Sequence, residues 1–164
     1  MNNVKFIIEM FKKKHPGLSP DIEDLVDLLW FRGNSLDMLM YSHVVWPEFT
    51  EIEGTIVLSY TVTLEEERTD LIKMIKNKQW PINDGVVPYT CLELYPIFFH
   101  NENKDIEEED DEKIYTNLAD LIHECWSVKL TKDFPNRKFV VHKSSEEERD
   151  SGDLSVWFYE IKST

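Results

Sequence analysis

Cysteine is scarce in this chain of 164 residues: Cys91 and Cys125 are too few for a disulfide framework. No apolar run reaches the length of a membrane span. The first lysine triplet comes only after Phe11, the reverse of the order in a signal peptide. These absences point to a reducing cytoplasm. Glycine is also sparse. Gly17, Gly33, Gly54, Gly85 and Gly152 each stand alone at an expected break, and none belongs to a phosphate-cradling loop. There is no HExxH, no CxxC, no HxE with PCxxC and no GxSxG elbow. Bases are outnumbered too. Eighteen lysines and arginines face thirty-two acids, for a formal charge of −14. Nucleic acid and anionic membrane surfaces are polyanions, so neither is expected as a partner. Alanine occurs once, as Ala119, against many Ile, Lys and Asn, a bias expected of an AT-rich microbial coding sequence.

What is present is a foldable chain. At 41% hydrophobic and 12% aromatic it is not compositionally disordered, and its length fits one domain. The unit 113–161 carries the plainest pattern. Ile114, Leu118, Leu121, Ile122 and Cys125 fall at helical spacing, which predicts a helix over Lys113–Lys129. Asp110, Asp111 and Glu112 lie near its positive end, and Lys129 and Lys132 near its negative end. Pro135-Asn136 reads as a turn. A strand over Arg137–His142 follows, with Phe139 and Val141 on one face and Val140 on the other. The run Ser144–Asp153 reads as a loop. In Leu154–Ile161, Leu154, Val156 and Phe158 point one way, and Trp157, Tyr159 and Ile161 the other. A strand apolar on both faces is either covered twice or offers one face to a partner.

Before this unit, residues 3–14 and a segment opened by Ser19-Pro20 and closed by Gly33 read as amphipathic helices. Ser35 caps a third, carrying Leu36, Leu39 and Met40 and stopped at Trp46-Pro47. Phe49–Val62 reads as one strand bulged at Gly54 or as two strands tightly joined. Leu64–Lys78 is an amphipathic helix with Leu64, Leu71, Ile72 and Ile75 inward. Pro88 and Pro96 confine Val86–Phe99 to an edge strand or an extended surface segment. Residues 101–112 form an acidic loop expected to be mobile; Glu102–Glu112 alone holds eight carboxylates. The fold class expected is therefore α+β: N-terminal helices and two further helices on a mostly antiparallel sheet, ending in an α-β-β unit.

Specific chemistry is hard to find. Asn101, Asn103, Asp105 and Glu112 sit at calcium-loop spacing, but Ile106 replaces the required glycine, so no metal site is expected. The five histidines are scattered; Asp120 and His123 read as a surface ion pair. No catalytic residue and no cofactor is assigned. Five tryptophans offer a better clue, since Trp46 and Trp80 each precede a proline at the end of an element. Aromatics on an acidic surface are the ingredients of an interface with a basic protein. The residues expected to carry it are Trp46, Glu48, Glu51, Glu53, Glu107, Glu108, Glu109, Asp110, Asp111 and Glu112.

In type, a small, acidic, aromatic-rich chain without a catalytic motif is similar to bacterial immunity proteins that neutralise toxin domains. The resemblance implies a non-enzymatic inhibitor of a basic toxin, such as a nuclease, acting by steric and electrostatic blocking. Two other readings remain open: a small hydrolase with a His/carboxylate site, and a structural or adaptor subunit, with room for a homodimer over Trp157 and Tyr159.

Overall fold

The computed structural model describes residues 8, 9, 12, 13, 35–77, 89–94, 108–145 and 154–161. Their elements, in chain order, are helix α1 (Ser35–Val45), strands β1 (Phe49–Ile52) and β2 (Thr55–Leu58), and a 3-10 turn (Ser59–Val62). Helix α2 (Glu65–Lys76), strand β3 (Cys91–Glu93), helix α3 (Glu108–Asp133) and strands β4 (Phe139–Lys143) and β5 (Ser155–Glu160) complete them. The fold is α+β with antiparallel pairing in both sheets: a β1-β2 hairpin, and a three-stranded sheet in the order β3-β5-β4.

The hairpin settles the alternatives at Gly54 in favour of two strands. Ile52 pairs with Thr55, which leaves Glu53 and Gly54 as a two-residue loop. Both have positive φ, 49° and 78°, as a turn matching the right-handed twist of the flanking strands requires. The strand does not run on to Val62. The Thr61 hydroxyl donates to the Leu58 carbonyl at 2.8 Å, and the chain coils into the 3-10 turn.

Helix α3 is longer than its apolar stripe suggests. It starts at Glu108, so the last five residues of the expected acidic loop are helical, and it ends two residues before Pro135. Its buried side is Tyr115, Ala119, Ile122, Trp126 and Leu130, a seam that overlaps the expected stripe at Ile122, with Leu118 packed beside it, but is rotated so that Leu121 lies 47% exposed. These residues pack on Leu92, Leu154, Val156 and Phe158 of the sheet and on Ile56 and Leu58 of the hairpin. Aromatic rings lock the joint. Phe49, Trp126 and Phe158 meet edge to face at 5.3–6.2 Å, and Phe139 meets Phe158 at 6.1 Å. The indole of Trp126 donates to the Val44 carbonyl at 3.0 Å, tying the end of α1 to α3.

A second, smaller core lies on the other side of the hairpin, where Ile52, Val57 and Val62 meet Leu71, Ile72 and Ile75 of α2. Leu64, expected inward, is exposed because it precedes the helix; its N–H is taken by the Glu67 carboxylate at 3.0 Å. The Leu58 N–H donates to the Tyr89 carbonyl, joining the hairpin to the segment that enters β3, and the Phe158 N–H donates to the Thr90 carbonyl of that same segment. Of the expected helices before Ser35, Ile8, Glu9, Lys12 and Lys13 are helical, and the rest lies outside the described residues, as do the expected loop 101–107 and most of 86–99.

Candidate interaction surface

Two of the carboxylates expected to meet a basic partner are paired within the chain. Glu51, on β1, reaches Arg137 at 3.4 Å, and Glu53, in the hairpin turn, reaches Lys76 of α2 at 3.6 Å. Arg137 is the centre of the first group. Its Nε donates to Glu160 Oε1 at 2.7 Å, one Nη bonds the other carboxylate oxygen, and that Nη also donates to the Gly54 carbonyl at 2.7 Å. Its guanidinium carbon lies 6.0 and 5.8 Å from the rings of Phe134 and Phe139. The hydrogen bond to Glu160 raises the Arg137 pKa further. A half-buried fork of this kind fastens the hairpin turn to the end of the three-stranded sheet. Glu51 therefore serves the fold as well as the surface charge.

Trp46 is 40% exposed, as its place before Pro47 suggests. Lys129 and Lys132 of α3 lie 5.5 and 6.0 Å from its ring centroid, and Lys129 is itself paired with Asp133 at 2.6 Å. Glu48, two residues on, is exposed. Glu107 lies outside the described residues. Glu108, Glu109, Asp110, Asp111 and Glu112 are placed as backbone in the first turns of α3.

Two apolar surfaces are more prominent. The first is α1, where Leu36, Met38, Leu39, Met40 and Tyr41 are all 45–61% exposed, while Val44 and Val45 hold the helix to the core. Apolar residues around most of a helix are normally buried all round, so this helix is unusual for a solvent-facing element. The second is the side of the three-stranded sheet facing away from α3. Ring stacking organises it. His142 of β4 is opposite Trp157 of β5, and its ring lies nearly parallel to those of Trp157 (5.6 Å) and Tyr159 (5.3 Å). Cys91 is the β3 partner of Trp157. Burial pushes the Cys91 thiol up to about 12. Desolvation, and to a lesser degree the neighbouring Cys91, holds the Tyr60 hydroxyl well above the ordinary tyrosine range.

The expected Asp120–His123 pair does not form. Both side chains turn to β4 instead: Asp120 pairs with Lys143, and His123 Nε2 donates to the Val141 carbonyl at 3.2 Å. Helix α3 thereby covers part of the outer edge of β4, a protection that edge strands need. Sequence reasoning missed this clamp because its partners are far apart in the chain. Among the described residues no group of three or more His, Cys, Asp or Glu side chains could hold a metal ion, and no helix is long and apolar enough to cross a membrane.

Comparison with protein-family models, with curated proteins and with solved structures found no match to this chain.

Proposed function

We propose that this chain is a non-enzymatic binding protein that blocks a basic partner protein, in the manner of a bacterial immunity protein or an inhibitor of a toxin domain such as a nuclease. The observation that carries the reading is the exposure of six large apolar side chains between Leu36 and Trp46 on a protein of charge −14. The two features divide the work. Surplus carboxylates raise the encounter rate with a positive surface, and apolar side chains provide the contacts that slow dissociation. Glu48 lies beside the apolar stretch; Glu51 and Glu53, although paired, are half exposed and add to the same field.

The test is the kinetics of association with a partner purified from the source cell. The association rate falls steeply between low and high salt while the dissociation rate changes little. Leu39→Ala and Trp46→Ala raise the dissociation rate. An association rate indifferent to salt refutes the reading.

One observation favours a second reading, a subunit of a larger assembly. The rings of Trp157, His142 and Tyr159 stack on one side of the sheet, and Tyr159 and Ile161 are 45% and 48% exposed. A stable homodimer in sedimentation velocity, lost in Tyr159→Ala, supports this reading over the first.

A further inference from the structure

The exposed large apolar side chains are not scattered. Of twelve among the described residues, eight lie on α1, at its end, or on the adjoining strip of α3, and they are 40–61% exposed. Five fall between Leu36 and Tyr41, and Trp46 follows the end of the helix. Leu121 and Val128 are the other two. They lie two turns apart on one face of α3, and Lys132, one turn beyond Val128, continues that face. Lys132 is 6.0 Å from the Trp46 ring, which joins the strip of α3 to the end of α1. Val44 and Val45 pack on the main core, and the Trp126 indole holds the Val44 carbonyl, so α1 is presented from a fixed base.

A large apolar side chain at half exposure shows roughly 100 Å², so the eight together present about 800 Å². The largest apolar patch of an ordinary monomer is about 300–600 Å², whereas each partner in a stable complex contributes about 800 Å². We propose that in the free protein this α1–α3 surface is covered by the same surface of a second copy, in a two-fold dimer. A two-fold contact sets one patch against itself, so apolar meets apolar without any other chain. The charges permit it. Asp37 is the one acid between Ser35 and Trp46, and Lys129 and Lys132 flank the Trp46 ring. Repulsion between carboxylates farther out is screened beyond about 8 Å at physiological salt. A stretch with a single acid also gives a cationic partner little to pair with, which favours the second copy as occupant of the free protein. The dimer does not depend on the identity of the partner; a basic partner that uses α1 displaces the second copy.

The experiment is sedimentation velocity of the full chain over a range of concentrations. The chain is a dimer with a dissociation constant of about 10 µM or tighter, within the span that interfaces of this area show. Leu39→Glu and Val128→Glu each weaken it about 100-fold or more, because each puts a carboxylate into the dry contact and enters the two-fold interface twice. Both positions are exposed, so the monomer's core is untouched, and circular dichroism confirms that each variant is folded. Leu64→Glu adds the same charge at an equally exposed position outside the patch and leaves the dimer as it was. Tyr159→Ala, on the outer face of the three-stranded sheet, also leaves it intact. Added salt strengthens the dimer by screening two chains of charge −14, whereas it weakens association with a basic partner, so the two readings fail separately. A chain that is monomeric at about 100 µM overturns the dimer and leaves the basic-partner reading standing. A dimer that survives Leu39→Glu or Val128→Glu, that Tyr159→Ala dissolves, or that salt weakens overturns the assignment to the α1–α3 surface.

Discussion

Arg137→Ala is expected to destabilise the fold by about 2–3 kcal/mol, between the ~0–1 kcal/mol of an exposed ion pair and the ~3–5 kcal/mol lost when a fully buried pair loses one partner. The structure places this pair between those limits, since the side chains of Arg137 and Glu160 are 20% and 19% exposed. The alanine leaves Glu160 without its fork and the Gly54 carbonyl without that donor, and it strips the stem from Phe134 and Phe139. For a chain of this size the loss corresponds to a fall in Tm of roughly 5–10 °C. Urea unfolding followed by circular dichroism measures it directly. Arg137→Lys keeps the charge but not the two-pronged geometry and loses about half as much. Glu51→Gln costs about 0.5 kcal/mol or less, because Glu51 is 54% exposed and its contact is 3.4 Å. A double-mutant cycle of Arg137→Ala with Glu160→Gln isolates the coupling. An Arg137→Ala loss below about 0.5 kcal/mol refutes the idea that this residue fastens the hairpin to the sheet.

Gly54→Ala costs about 1 kcal/mol in the same urea assay, from the backbone alone, because φ is +78° and nothing lies within 4 Å of an added Cβ. Trp126→Phe removes the bond to the Val44 carbonyl and leaves a void in the main core; a loss of about 2–4 kcal/mol is expected, with faster amide exchange in the last turn of α1. Cys91 gives a pH dependence. Its thiol is neutral when protonated, and the fold holds that proton more tightly than the unfolded chain does. Its contribution is therefore complete below the ordinary value of 9.0 and is lost as pH rises through about 12. Cys91→Ala flattens the stability profile over that window, measured as denaturant midpoints against pH. A thiol-titrating reagent at mildly alkaline pH reacts first with Cys125, which is less buried than Cys91.

The sequence made legible the class of fold, the order of the described helices and strands from Ser35 onward, and the two faces of the last strand. Those features follow from local periodicity: alternation put Leu154, Val156 and Phe158 on one side, and the structure buries all three. It also determined the surplus of negative charge and the half-exposed Trp46. It did not determine which side of α3 is buried. Tyr115, Ala119 and Trp126 are not plainly apolar in pattern, and they face inward because the sheet, the hairpin and the end of α1 converge there. Nor did it determine what the acids do. The pairings of Glu51 with Arg137, Glu53 with Lys76 and Asp120 with Lys143 each join residues from 23 to 86 positions apart. Periodicity is a property of neighbours along the chain, whereas an ion pair forms wherever folding brings two charges within reach. For that reason, which carboxylates fasten the fold and which face carries the stacked rings became visible only in three dimensions.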